Sequence, residues 1–194
     1  PYTMHPMIKR VRDENTNRLY KQNGEMKYSG ETTVDGVYEG LGKEFDSLGA
    51  LVREGYYKNG VLHGNWARIY QKKEQGLFAK ENTYLVYEGS MMDGSEHGAG
   101  KEFYPSGKVF YEGSYFKGTR CCQNGKLFYE KGIPKYQGGF NESVYHGLGI
   151  LYYPNGKVQY KGGFEMGKFC DKAGQWQNHT EDVIYRGGFR DGSY

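Results

Sequence analysis

Val158-Gln-Tyr-Lys-Gly-Gly-Phe-Glu-Met-Gly-Lys-Phe169 is the stretch from which most of the chain is built. Its Tyr-x-Gly core returns at Tyr28/Gly30, Tyr87/Gly89, Tyr111/Gly113, Tyr136/Gly138, Tyr160/Gly162 and Tyr185/Gly187, and Arg53/Gly55 is a copy that has lost the tyrosine. The glycine-to-glycine spacings are 25, 34, 24, 25, 24 and 25 residues. A near-fixed period in this range marks a repeat architecture, in which each unit buries its apolar face against its neighbours. Within the stretch, Val158, Tyr160, Gly162 and Phe164 alternate with Gln159, Lys161, Gly163 and Glu165. Alternation with period two predicts a strand.

Turn signals frame that strand. Asn23-Gly24, Leu48-Gly49, Ser106-Gly107 and Asn155-Gly156 each lie six residues before a repeat glycine, while Asp93-Gly94, Lys117-Gly118 and Met166-Gly167 follow it. Such pairs tolerate the positive φ of tight hairpins. A returning strand such as 146–153 completes the unit. The expected fold is all-β, an elongated single-layer antiparallel sheet of about seven stacked β-hairpin repeats. Residues 1–16 read as an N-terminal arm and 17–194 as the repeat array, with a last repeat that shows one strand and leaves an open edge for pairing with another chain.

Composition explains the glycines. Apolar residues are 37% of the chain, but aromatics reach 16% and there are 31 glycines, so rings must supply the buried area. Glycine on a strand leaves bare backbone for a ring to cover. Three aromatic columns emerge. The first is Tyr28, Tyr87, Tyr111, Tyr136, Tyr160 and Tyr185, and the second is Tyr57, Met91, Tyr115, Phe140, Phe164 and Phe189. The third is Tyr20, Phe45, Ile69, Phe103, Phe128 and Tyr152.

The pattern Tyr-x-Gly-x-aromatic, then His-Gly-x-Gly, then Pro-Asn-Gly is similar to the MORN repeat, and Tyr136 to Tyr160 carries its fullest copy. The resemblance implies a non-catalytic scaffold for protein–protein interactions in a larger cytoskeletal, ciliary or other multi-subunit assembly. The alternative it implies is a peripheral module for anionic phosphoinositides. Arg53, Trp66 where a glycine is expected, Gln123 and Lys172 in the glycine-pair column, and Gln177 in the aromatic column depart from the pattern.

Other chemistries find little support. His63, His97 and His146 share one column, about 10 Å apart even in adjacent units, too far for common metal ligation. No nucleophile elbow, phosphate loop or carboxylate pair stands out, so neither an enzyme nor a cofactor is expected. The net charge is +3, from 26 basic and 23 acidic residues, and Glu39, Glu54, Glu88 and Glu112 interrupt any basic stripe, which argues against nucleic acid. No apolar run is long enough to span a bilayer. Cys121, Cys122 and Cys170 are expected as free thiols in an intracellular setting, for which the resemblance implies cytoplasm, cytoskeleton or cilium, with an organelle-embedded complex as the alternative. The longest interval holds an insertion at 71–83. The proposed partner-binding residues are its Leu77, Phe78, Lys72 and Lys73, together with Arg10 and Arg12 of the arm, with pairing of open sheet edges as a route to a homodimer.

Overall fold

The structure, a computed structural model, describes residues 9–13, 16–73, 83–178 and 183–193. These residues form antiparallel strands and turns, with no helix among them. They divide into two compact units, one ending at Ser95 and the other starting at Glu96.

In the first unit, strands β1 (Lys9–Asp13), β2 (Thr16–Tyr20), β3 (Met26–Thr32), β4 (Tyr38–Phe45), β5 (Leu51–Lys58), β6 (Val61–Lys72) and β7 (Thr83–Met92) pair in chain order. In the second, β8 (Ser95–Phe103), β9 (Val109–Phe116), β10 (Thr119–Arg120), β11 (Cys122–Phe128), β12 (Pro134–Asn141), β13 (Val144–Tyr152), β14 (Val158–Glu165), β15 (Lys168–Phe169), β16 (Asp171–Gln177) and β17 (Val183–Phe189) do the same. The short strands β10 and β15 open the return strands that continue as β11 and β16. Lys9–Asp13, within the expected arm, pairs with Thr16–Tyr20.

Two turn types alternate. The two-residue turns Asn59-Gly60, Asp93-Gly94, Lys117-Gly118, Glu142-Ser143, Met166-Gly167 and Asp191-Gly192 hold both residues at positive φ, the geometry whose twist suits an antiparallel hairpin. Each also braces the preceding repeat. The N–H of Gly60 donates to the Tyr38 carbonyl at 3.0 Å, and Gly94, Gly118, Ser143, Gly167 and Gly192 repeat the bond to Leu62, Glu96, Arg120, Tyr145 and Phe169.

Register places the repeat glycines in a row across the strands. Gly30, Gly42, Gly55, Ala67 and Gly89 face one another in the first unit. In the second, Gly100 faces Gly113, Gly125 and Gly149 flank Gly138, Gly149 faces Gly162, and Gly174 faces Gly187. This row corrects two sequence alignments. Trp66 is not in the glycine row. Ala67, almost wholly buried, holds that place, while Trp66 is an extra residue in an irregular step between Gly64 and Ala67. The same extra residue shifts the third column, so that Tyr70 and not Ile69 stands with Phe103, and Ile69 faces Tyr87. Likewise Cys122 and Asp171, rather than Gln123 and Lys172, face the second-column rings Phe140 and Phe189.

The physical reason is backbone conformation. In β4, β8 and β13 the step from the second-column partner to the glycine row takes two residues, and Gly40, Gly98 and Gly147 make it at φ of 64°, 74° and 72°. That region is costly for residues with a Cβ. In β11 and β16 the step takes three residues, which releases the requirement, so Cys122 and Asp171 are accepted. From Gly89 onward the alternation of 24- and 25-residue periods is this extra residue, whereas in the 25-residue Gly30–Gly55 period the additional residue lies in the longer turn between Thr32 and Tyr38.

Row glycines are forced by neighbours. A Cβ on Gly138 would lie 2.5 Å from the Gly149 Cα and 2.6 Å from both the Leu148 carbonyl oxygen and the Tyr136 hydroxyl. Gly138→Ala is therefore expected to destabilise the second unit by about 1–3 kcal/mol through overpacking. Chemical denaturation checks this, with Gly107→Ala, where a Cβ meets open space at φ 81°, expected to cost about 1 kcal/mol from backbone conformation alone.

Candidate interaction surfaces

Each repeat tyrosine does two things at once. Its ring lies over the row, and a Cβ on Gly30, Gly42, Gly113, Gly149, Gly162 or Gly187 would run into a tyrosine of the first column. Its hydroxyl then donates to the carbonyl three residues on, Tyr28 to Glu31 at 2.9 Å, Tyr87 to Ser90 at 2.8 Å, Tyr111 to Ser114 at 3.3 Å, Tyr136 to Gly139 at 3.0 Å, Tyr160 to Gly163 at 3.1 Å and Tyr185 to Gly188 at 3.2 Å. Phenylalanine would cover the glycine but leave that carbonyl without this donor.

Second-column rings fill the gaps edge-on. Phe140 meets Tyr111 and Tyr136 with centroids 5.2 Å away, Phe164 meets Tyr136 at 5.1 Å and Tyr160 at 5.2 Å, and Phe189 meets Tyr160 and Tyr185 at 5.0 Å. Interplanar angles of 77° to 90° make this a continuous edge-to-face chain, worth about 0.5–1.5 kcal/mol per pair beyond area burial. A third ring from the return strand stacks flat on the first-column tyrosine: Tyr38 on Tyr28 at 3.8 Å, Tyr145 on Tyr136 at 3.9 Å, Phe169 on Tyr160 at 4.1 Å. Tyr57 and Tyr115 occupy the second column edge-on to Tyr28 and Tyr111.

At Tyr111 the stacking partner is Arg120, its guanidinium 4.9 Å from the ring centroid. Arg120 also grips Glu102 bidentately, Nε to Oε1 at 2.7 Å and Nη2 to Oε2 at 2.6 Å, while the Tyr115 hydroxyl donates to the same Oε1 at 2.6 Å. Burial disfavours the Arg120 charge, but the Glu102 hydrogen bonds outweigh it and hold the guanidinium above its usual range. Sequence reading missed this cluster because Glu102 and Arg120 are ordinary charges until register seats them on the ring face. It also missed Tyr104, Tyr129 and Tyr153, whose hydroxyls donate to the carbonyls of Phe128, Tyr152 and Gln177 in the next repeat at 2.7, 2.9 and 2.9 Å. Their near-period spacing of 25 and 24 residues was the available signal.

The opposite face is not covered by rings. In the first unit Lys43, Glu54, Arg68 and Glu88 face one another strand by strand, with Lys43–Glu54 at 3.2 Å, Arg68–Glu54 at 3.6 Å and Arg68 bonded to Glu88. Burial raises the Glu54 carboxyl, but the Tyr70 hydroxyl and the Lys43 ammonium bring it below its ordinary value. Beside this ladder Leu41 and Tyr56 form a cross-strand pair 57% and 48% exposed, and Trp66 is 42% exposed. In the second unit Leu148 is 77% exposed.

The proposed partner residues are not brought together. Arg10 and Arg12 pair with Leu19 and Asn17 at the β1 side of the first unit, whereas Lys72 closes β6, five strand spacings or about 24 Å away. The Lys72 ammonium is 2.6 Å from Asp46 Oδ2. Lys73 follows directly, and Leu77 and Phe78 lie outside the described residues. All three cysteines are free. His63 pairs with Asp93 at 3.3 Å and His97 packs against Phe116, and among the described residues no cluster of His, Cys, Asp and Glu could hold a metal ion.

The family model of the MORN repeat variant matches residues 38–59, 96–117 and 145–165. These segments are the hairpins β4–β5, β8–β9 and β13–β14, the ones whose return strands step in two residues. The intervening repeats are those with the extra residue. No curated protein matches the chain.

Burial raises the tyrosine hydroxyls, with Tyr38 and Tyr160 pushed up to about 12 and Tyr28, Tyr57, Tyr111 and Tyr136 also raised. An unfolded tyrosine ionises near 10. The fold favours the neutral form, so this stabilisation is complete below pH 10 and is lost as pH rises from about 10 to 12. Melting temperature is expected to hold through pH 9 and then fall, with tyrosinate absorbance appearing together with unfolding. Tyr136→Phe should cost about 1–2 kcal/mol through the unpaired Gly139 carbonyl, and Tyr136→Ala about 3–5 kcal/mol. Denaturant titration separates the two.

Arg120→Met strands the Glu102 carboxylate. With both side chains about a fifth to a quarter exposed, a loss of about 1–3 kcal/mol is expected, and Arg120→Met with Glu102→Leu should recover much of it. A double-mutant cycle measures the coupling.

Proposed function

We propose that the chain, three hairpins of which match the MORN repeat variant, works as a non-catalytic scaffold, holding other proteins within a larger assembly of the cytoskeletal, ciliary or comparable multi-subunit kind. The observation that carries this reading is the division of labour between the two sheet faces. In each unit the stacked rings and repeat-tyrosine hydroxyls that hold the repeats together lie on one face, and the other presents cross-strand side chains, including the half-exposed Leu41–Tyr56 pair of the first unit, that the ring stack does not consume. Exposed apolar side chains arranged across neighbouring strands suit a protein partner. Pairing of sheet edges between two copies is a further route to assembly under the same proposal.

Affinity retrieval from native extract with mass spectrometry, run beside flotation on phosphoinositide vesicles, tests the proposal. A fixed set of co-purifying proteins, reduced by Leu41→Ser with Tyr56→Ser at unchanged melting temperature, is the expected result. Salt-sensitive flotation with no stoichiometric protein would overturn it in favour of anionic lipid, the charge-dependent binding expected of a membrane module.

A further inference from the structure

The outer faces of the two units differ in a way that the repeat does not require. In the first unit, charges on successive strands neutralise one another along the Lys43–Glu54–Arg68–Glu88 ladder. The equivalent row in the second unit begins alike, with Lys101 paired to Glu112 at 3.2 Å. It then runs Lys126, Gln137, Ile150, Lys161, Gln175, Arg186 on consecutive long strands. Three cations stand in that run and no carboxylate does; Lys126 faces Glu112 on β9, whereas Lys161 and Arg186 have only Ile150 and Gln175 opposite them.

Residues of the same strands line an open groove of about 1230 Å3, among them glycines of β12, β13 and β14 together with Leu148 and Ile150. Five carboxamides line it: Gln123, Asn124, Gln137, Asn141 and Gln175. Among the described residues none of the five is hydrogen-bonded within the chain, and Lys161, which also lines the groove, has no ion pair there. The one carboxylate in the lining, Asp171, is held by backbone: its Oδ2 accepts from the Gly163 N–H at 2.8 Å and its Oδ1 from the Ala173 N–H at 3.1 Å.

We infer that this groove binds an acidic polypeptide segment that carries an apolar side chain. The inference rests on the scaffold reading and names its site and partner chemistry. Carboxamides offer a donor and an acceptor side by side, which matches the alternating C=O and N–H of a main chain. Leu148, 77% exposed, offers an apolar side chain a surface at the centre. From Lys126 to Lys161 is three strand spacings, about 14 Å, and from Lys161 to Arg186 two, about 10 Å. An extended chain at about 3.3 Å per residue therefore reaches Lys161 in the groove and Lys126 and Arg186 on either side of it with carboxylates about four and three residues apart. A concave, amide-lined trough fits a chain better than the flat face of a bilayer.

The test is selection of a displayed random library of 12-residue peptides on the full chain, with counter-selection on Lys161→Glu combined with Gln137→Glu. Both positions face solvent, and an unchanged melting temperature confirms that the variant folds. Enriched peptides should be net acidic with an apolar residue between carboxylates. They should lose affinity about tenfold or more on the double variant and in high salt, and keep it on Lys43→Gln in the first unit. Neutral or basic enrichment, no enrichment, or equal binding to the double variant would overturn the assignment. So would binding confined to vesicles of phosphatidylcholine with phosphatidylserine and lost in the same variant. If the groove assignment fails while native retrieval still returns stoichiometric partners, the scaffold reading stands; if retrieval also returns none, both fall.

Discussion

A tyrosine ring lying on bare glycine backbone, with its hydroxyl tied to the carbonyl three residues ahead, is the contact on which the rest of this structure depends. A sheet with few aliphatic side chains has no thick core to bury, so its cohesion must come from contacts repeated in every unit. The tyrosine supplies apolar area through its ring and satisfies a backbone acceptor through its hydroxyl. Gly138 and Gly149 are glycine because Tyr136 occupies the space a Cβ would need. Once the ring is seated, Phe140 and Phe164 find edge-on positions against it, and Tyr145 stacks on it. Within each unit the core is therefore a line rather than a centre, and each repeat is held chiefly by its neighbours.

That arrangement leaves one face committed and one face at liberty. Ring-face departures from the repeat stay within its logic: Arg120 replaces a stacking ring at Tyr111 with a flat cation and carries Glu102 and Tyr115 with it. Guanidinium on an aromatic face keeps the planar contact while adding a directional tie. On the outer face the same register positions differ between the units, from a neutralised charge ladder in the first to a cationic, amide-lined groove in the second. Repeat scaffolds can change what they bind without changing how they fold because these two sets of positions are separate.

Much of the fold was legible in the sequence. Period-two alternation and turn pairs fixed the strands, and Tyr28, Tyr136 and Phe164 could be set on one face by counting. What escaped counting was a single residue. Trp66 looked like a failed glycine, and Ile69 like a member of the third column, because spacing alone does not show that β6 spends an extra residue between Gly64 and Ala67. The clue lay in the alternation of 24 and 25 residues from Gly89 onward, which the backbone explains through glycine at positive φ in the shorter strands. The candidate surface was less legible. Leu77 and Phe78 drew attention by composition and lie outside the described residues, whereas Gln137, Lys161 and Gln175 are ordinary polar residues whose meeting depends on register between strands 14 to 38 positions apart.

Amide hydrogen exchange resolved to single residues is the most direct measure of whether ring-covered glycines hold the sheet. Slowest exchange is expected along the row at Gly138, Gly149 and Gly162, and, in Tyr136→Phe, faster exchange at Gly138 and Gly149 with the turn amides little changed. Protection that peaks elsewhere in the strands, or row amides indifferent to loss of the Tyr136 hydroxyl, would contradict it.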